Sequence, residues 1–343
     1  MDDMKLQIKA LVAVVGTTLL FGCDPDLGGV TDDGISVADF LDEEGRISWR
    51  NIQDNGVEAN GVRFNGVRFN GVRFNGVRFN GVRFNGVRFN GEALNSPAVN
   101  NNKMKAKNGQ NQDLEGAALE GAIIDADVET GQGVVDIEFR LTNISPVATP
   151  SGNDLDALLI EQRENGGSWG NICENNVPSV SLQGDWDLAT GDKISSSSEA
   201  STWACLGAAL GDCAAWGYVP GETFNGHSLS AYHQACTRAK RADYVGDGGP
   251  HTSNGTAIDI YDRLGMQVPG TSWGVEALYN ENGVVCINTP RKTNFTRAQI
   301  ISKAALKGKS LSSDGCVDAD NDGDLFDDYP TALIAIRNVP TSL

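Results

Sequence analysis

The sequence predicts an α+β fold, rich in β-structure and stapled by disulfides, and three observations lead to it. Glycine supplies 41 of 343 residues, which favours turns and short strands over long helices because glycine is permissive about its backbone angles. Six cysteines, Cys173, Cys205, Cys213, Cys236, Cys286 and Cys316, form an even set once Cys23 is put aside. In an oxidising compartment such a set pairs as three disulfides, with the connectivity open. Strand-length apolar runs bounded by turn residues fill the middle of the chain. The cysteines include no Cys-x-x-Cys pair, so a structural zinc site is not expected. A formal charge of −18 argues against nucleic acid as a partner, since such a chain is repelled by phosphates.

At the N-terminus, Lys5 and Lys9 precede an apolar run over residues 10–22. That run is too short to cross a bilayer as a stable helix and has the layout of an export signal. Its end, Leu20-Phe21-Gly22-Cys23, resembles a lipobox, with Phe21 larger than the residue usual there. The resemblance implies removal of residues 1–22 and lipidation of the Cys23 thiol, which would anchor the chain to a membrane. The expected address is extracytoplasmic, in the envelope of a Gram-negative bacterium, facing the periplasm or the cell surface. Residues 23–56 are read as a tether.

Residues 57–96 are repetitive: Val-Arg-Phe-Asn-Gly occurs six times unchanged over residues 62–91, with imperfect copies on either side. A period of five fits no regular element. On a helix each Phe drifts by about 140° from the last, and on a flat strand each Phe flips to the opposite face. A coil with a corner at each Asn-Gly would bring every Val and Phe to one axis. The repeat resembles the pentapeptide-repeat family, which implies a short right-handed β-helix with Val and Phe inward. Arg63, Arg68, Arg73, Arg78, Arg83 and Arg88 then face outward. So short a solenoid has little neighbour stacking and needs support. A low-complexity spacer is the competing reading, against which the six Phe weigh. With six Arg and two Glu the repeat carries +4, leaving −22 for the rest of the chain. Those arginines suit self-association, docking on the chain's own acidic body, or an anionic envelope polymer.

Residues 97–112, rich in Asn and Lys, read as a linker, and a domain follows over residues 113–312. Strands are expected at 121–128, 134–141, 155–162 and 283–288, the first two antiparallel across Thr130-Gly131-Gln132-Gly133. Helices are expected at 201–216 and 229–242. At Ala242-Asp243-Tyr244-Val245 the sequence resembles the ADYC domain family, an extracytoplasmic bacterial family of unknown function, with Val in place of the naming cysteine. The likeness runs from Trp203-Ala204-Cys205 through Gln234-Ala235-Cys236-Thr237-Arg238 to Glu276-Ala277 and Val284-Val285-Cys286.

Asp243, Asp247, His251, Asp259 and Asp262 crowd into twenty residues of glycine-rich turns. Acids beside a histidine are general acid–base material, and a hydrolase-like enzyme using Asp247, His251 and Asp259 is the minority reading. Aspartates next to glycine more commonly bond their own backbone in turns. The acidic tail, residues 313–343, carries Asp318-Ala319-Asp320-Asn321-Asp322-Gly323-Asp324, the D-x-D-x-D-G order of calcium loops. Its twelfth position is Tyr329 rather than Glu, so Asp327 or Asp328 would have to complete the shell around calcium. The function expected is a lipid-anchored, non-catalytic binding or structural module of the envelope.

Overall fold

The computed structural model describes residues 66–70, 78–79, 82–89, 92–130, 133–164, 166–173, 176–186, 192–195, 200–252 and 256–338, all within one compact unit, Gly34–Leu343. The signal segment, Cys23, the tether, Arg63 and Arg73 lie outside the described residues.

Strands dominate. A first sheet of twelve strands is built from β1 (Gly66–Asn70), β2 (Arg78–Phe79), β3 (Val82–Phe89), β4 (Glu92–Asn100), β5 (Lys103–Lys107), β6 (Asp113–Glu115), β7 (Ile123–Thr130), β8 (Gly133–Val147), β9 (Leu155–Glu164), β10 (Gly170–Asn171), β11 (Ser179–Gln183) and β14 (Ala200–Cys205). Two short ladders stand apart: β12 (Asp185–Trp186) with β13 (Lys193–Ser195), and β15 (Thr223–Phe224) with β16 (His227–Ser228). A second sheet takes the order β17-β20-β18-β19 from β17 (Asp259–Asp262), β18 (Gly274–Asn280), β19 (Gly283–Ile287) and β20 (Ile334–Asn338). Among the described residues there are one 3-10 turn (Gly116–Leu119) and four α-helices: α1 (Ala209–Ala215), α2 (Leu229–Arg241), α3 (Arg297–Leu306) and α4 (Leu325–Asp328). Among the described residues no helix is long and apolar enough to cross a membrane.

The middle of the first sheet follows the sequence pattern. β7 and β8 pair antiparallel out to Thr130↔Gly133, the hairpin expected from the turn residues. Ile124, Phe139, Leu141, Leu158, Ile160 and Trp203 are buried on one another. Two expectations are corrected. Residues 97–112 are not a linker but carry the end of β4 and all of β5, because Lys103-Met104-Lys105-Ala106-Lys107 alternates partly exposed Lys with buried Met and Ala. This is a period-two pattern that a high content of Asn and Lys conceals. The helix expected at 201–216 begins only at Ala209; its first part is β14, whose Trp203 packs edge-on to Phe139 at 5.3 Å.

The described strands of the repeat pair antiparallel, whereas the rungs of a β-helix would stack parallel. β1 lies on β14, with Arg68 opposite Thr202. β2 and β3 form a hairpin closed at Phe79↔Val82, and β3 and β4 another closed at Phe89↔Glu92. In the sequence, Asn80-Gly81 and Asn90-Gly91 stand between those closing pairs, the dipeptide that tight hairpins favour. Between them β3 runs on along β7, and the ladder shifts register between Phe84 and Gly86. One extra residue makes an odd repeat even. Val82, Phe84 and Val87 therefore oppose Val128, Ala126 and Ile124, alternate positions of the partner strand.

Three disulfides join the six cysteines as Cys173–Cys205, Cys213–Cys236 and Cys286–Cys316, at sequence separations of 32, 23 and 30. Loops of that length imply about 3–4 kcal/mol of stabilisation each through the unfolded chain. The second bridge ties α1 to α2, where Lys240 also pairs with Asp212 and His233 Nε2 meets the Leu210 carbonyl at 3.0 Å. His233 packs against the buried Trp186 ring at 5.4 Å. Burial, with a smaller push from Lys193, lowers its pKa to about 3 although the Leu210 carbonyl favours the charged ring. The unfolded chain, with an ordinary histidine near 6.5, therefore takes up the proton first as pH falls. The contribution of His233 to stability is present above about pH 6.5 and is lost as pH falls toward about 3, by roughly 1.4 kcal/mol per unit. A His233→Gln variant keeps a donor for Leu210 and removes the titration. We expect its melting temperature to fall less between pH 7 and pH 5 than that of the unaltered chain; equal slopes would show that His233 does not carry the acid sensitivity.

Candidate functional site

The tetrapeptide Ala242-Asp243-Tyr244-Val245 closes helix α2. Ser228 caps the start of that helix, its hydroxyl accepting from the Ser230 amide at 3.4 Å. At the other end Ala242 turns into the left-handed region at φ 51° while its amide reaches back to the Arg238 and Ala239 carbonyls. An alanine is the smallest side chain that can follow a helix this way if glycine is not used. Asp243 is fully buried. Its carboxylate pairs with Arg238 Nη1 at 2.5 Å and accepts from the amides of Asp247 at 3.0 Å and Gly248 at 2.9 Å. Arg238, with Lys240 and Arg241, places positive charge at the negative end of the helix dipole.

Tyr244 carries the chain into the core. Its hydroxyl donates to Glu276 Oε1 at 3.0 Å and accepts from the Arg291 amide at 2.7 Å. Its carbonyl accepts from Val284 at 2.8 Å. The approach is so close that a side chain on Gly283 would meet the Tyr244 carbonyl oxygen at 2.6 Å, and one on Gly246 the Asn282 carbonyl oxygen at 2.1 Å. Only glycine fits at both, which also have φ of 117° and 68°. Val245, standing where the family has cysteine, is buried, and its carbonyl accepts from Lys309 at 2.6 Å.

Beneath Tyr244 lies an ion pair that is wholly inside the protein. Glu276 and Arg291 are 0% and 1% exposed and meet at 2.9 Å. All five guanidinium hydrogens have acceptors: Glu276 twice, the Ala239 and Lys240 carbonyls at 2.8 Å each, and the Thr252 hydroxyl at 3.3 Å. Glu276 also accepts from Tyr279 at 3.3 Å and Asn338 at 2.8 Å. Burial works against the Arg291 charge, but Glu276 more than offsets it and raises its pKa. Burial and then the Glu276 charge push the Tyr244 and Tyr279 hydroxyls well above their ordinary value, which keeps them as donors. Sequence reading missed this pair. The only signal was a single acid inside the apolar run Val275-Glu276-Ala277-Leu278-Tyr279, a place where a buried charge must have a partner.

The predicted acid cluster is distributed among separate turns. Asp247 accepts from the Gly249 amide at 3.1 Å and faces Lys303 at 3.3 Å. Burial alone would raise its pKa, but that amide and the Lys303 charge hold it below the usual range. His251 points Nδ1 at the Ala242 carbonyl, 3.1 Å away, with its ring between Tyr244 and Phe295 at 5.3 and 4.7 Å. Burial and then Lys303 lower its pKa. Asp259 accepts from the Gly270 and Thr271 amides at 3.1 and 2.8 Å and from the Thr271 hydroxyl at 2.6 Å. Asp262 holds the amides of Leu264, Met266 and Gln267 and the Tyr218 hydroxyl at 2.7–3.2 Å. Burial raises its pKa in spite of those donors. Among the described residues no hydrogen bond joins His251 to Asp247 or Asp259.

The tail aspartates do come together. One carboxylate oxygen each from Asp318, Asp320 and Asp328 lie within 4.8 Å of one another, as do those of Asp320, Asp322 and Asp327. Asn321 and Gly323 supply the left-handed turns, with φ of 61° and 91°. Asp318 Oδ2 accepts from the Gly323 amide at 3.0 Å, while its Oδ1 is buried without a hydrogen-bond partner. The Asp322 amide favours the charged form of Asp320, yet partial desolvation and the charges of Asp322, Asp327 and Asp328 raise its pKa overall. Asp324 is turned away from this role, capping α4 by accepting from Phe326 at 2.8 Å.

The Glu276–Arg291 pair yields a direct test. An Arg291→Met substitution leaves Glu276 buried without its counter-charge and should cost about 3–5 kcal/mol in denaturant unfolding. Adding Glu276→Leu should restore only part of it, because the Ala239 and Lys240 carbonyls still lack a donor. Additive losses in the double variant would show the two side chains to be uncoupled.

Comparison with protein families matches residues 113–293 to the ADYC domain and residues 55–93 to pentapeptide repeats. Neither curated proteins nor solved structures yield a match. The matched domain spans more than half of the chain and contains the tetrapeptide, the buried pair beneath it and two complete disulfides, so this protein belongs to the ADYC domain family.

Proposed function

We propose that the chain is a lipid-anchored extracytoplasmic protein that serves as a non-catalytic binding or structural module of the cell envelope. The observation that carries the non-catalytic part is the use made of the acids at 243–262. Asp243, Asp247, Asp259 and Asp262 each accept hydrogen bonds from backbone amides of their own turns. A carboxylate engaged in that way is poorly placed to move protons for a substrate. Three disulfides support an oxidising compartment, and the lipobox-like Leu20-Phe21-Gly22-Cys23 supports the anchor. Of the partners considered, a second copy of the chain, met through the repeat, is preferred to an anionic envelope polymer. The pentapeptide-repeat match is consistent with a β-helix, but the antiparallel pairing of the described strands favours addition to a sheet. Metabolic labelling with radioactive palmitate tests the anchor. The chain should take up label and fractionate with membranes, and Cys23→Ser should abolish both; an unlabelled product, or unchanged fractionation of the variant, would sink the reading.

A second reading concerns the tail, where the two triads Asp318, Asp320, Asp328 and Asp320, Asp322, Asp327 and the unsatisfied Asp318 Oδ1 favour calcium as a ligand. Oxygen-only ligation on a glycine-containing loop is the chemistry that calcium selects. Millimolar calcium should raise the melting temperature, chelator should reverse it, and Asp320→Asn should blunt the rise. The absence of any shift would identify an ordinary acidic loop.

A further inference from the structure

Five strands of the family-matched domain, in the order β14-β11-β9-β8-β7, make a sheet with two edges of its own. Exposed edges offer rows of unpaired amides and carbonyls to any other chain. Here each edge is covered by the same repeat: β1 pairs with β14, and β3 pairs with β7. β1 and β2 also come within 8 Å of one another. The strands doing this are cut from one text. Gly-Val-Arg-Phe-Asn occurs six times between Gly61 and Asn90, and both covers are built from that unit. Moving the repeat by five residues so that an earlier unit takes the place of the resident one, 77–84 for 82–89 on β7 and 61–65 for 66–70 on β14, therefore presents each edge with an unchanged sequence.

Register in a sheet is fixed where side-chain pattern and turn geometry differ between alternatives. An exact repeat removes the first difference, and an Asn-Gly in every unit removes the second. The shift between Phe84 and Gly86 keeps successive units in phase with alternate positions of β7, so a neighbouring unit fits as the resident one does. What remains is loop closure, which changes slowly with length. We propose that the two edges of the domain are docking sites for Val-Arg-Phe-Asn-Gly units as such, and that the repeat of a second copy takes them, linking copies by strand exchange. The occupant is a second copy because the cover is already made of this sequence and a tethered neighbour carries six units of it. This rests on the envelope-module reading only in making neighbours abundant at a surface; the pairing itself needs no lipid.

Cysteine trapping in the full-length chain tests it independently of palmitate labelling. Arg83 stands opposite Asp127, and directly opposed strand residues lie within disulfide reach. The pair Arg83→Cys with Asp127→Cys should bridge within one chain, and failure to do so would overturn the pairing at the outset. Arg78→Cys, combined with Asp127→Cys, should bridge as well, to within about tenfold of the first yield, because residues 77–84 repeat residues 82–89 unchanged. Bridging by Arg83→Cys alone means a single register and overturns the proposal. Two isotopically distinct copies, one with Arg83→Cys and the other with Asp127→Cys, are then mixed, oxidised and mapped by mass spectrometry. A 83–127 link between heavy and light copies that grows with concentration is the expected result. Links found only between identical positions, or no link between copies, would exclude strand exchange.

Discussion

One ion pair organises this domain. Arg291, arriving from the loop after β19, donates to the last carbonyls of α2 and to Glu276 of β18 at once. A helix end leaves carbonyls without partners, and the core of a domain is a costly place to leave them. A guanidinium is the side chain that can serve several of them in one plane, and its charge then demands a carboxylate in the same space. Glu276 in turn needs more donors than Arg291 supplies, and Tyr244, Tyr279 and Asn338 provide them. Helix, both middle strands of the second sheet and the family tetrapeptide are thereby committed to a single arrangement. Such pairs add little net stability over a well-packed apolar core. Their effect here is to specify how α2 sits on the sheet.

The tetrapeptide takes its meaning from that arrangement. Ala242 is small because it must turn left-handed, Asp243 is acidic because Arg238 and two amides face it, and Tyr244 is a tyrosine because its hydroxyl completes the Glu276 shell. Val245 fills an apolar position, and its substitution for cysteine leaves the three disulfides intact. These residues read as chemistry in the sequence because acids, glycines and a histidine lie close together in the chain. In the structure Asp247, Asp259 and Asp262 each accept from backbone amides that close turns. The side chains that meet across space, Glu276 with Arg291 and Asp247 with Lys303, are 15 and 56 residues apart, and no local pattern reports such a pairing.

Elsewhere the legible parts were those governed by short-range rules. The hairpin of β7 and β8, helix α2 and strand β19 follow from alternation, a cap and bounding glycines, which act within a few residues. At 97–112 the period-two burial of Met104 and Ala106 makes strand where an Asn- and Lys-rich composition suggests a linker. β14 was hidden by Ala-rich helix α1, which continues the same apolar run. Tertiary contact with Phe139 and β11 decides for strand there, as it commonly does for aromatic and β-branched residues.

The repeat shows how one dipeptide supports three geometries. An Asn-Gly can mark the corner of a coil, the loop of a two-residue hairpin or the site of a bulge, and all three tolerate left-handed backbone. Periodicity alone cannot choose among them, since each converts five residues into an even phase. The choice falls to what the strands have to pair with. A solenoid of eight units offers its own rungs few neighbours, whereas the two edge strands of the family-matched part of the sheet, β14 and β7, offer a ladder of hydrogen bonds to each strand laid on them. Identical units can meet that need wherever an edge is open, and the described strands of the repeat lie on such edges.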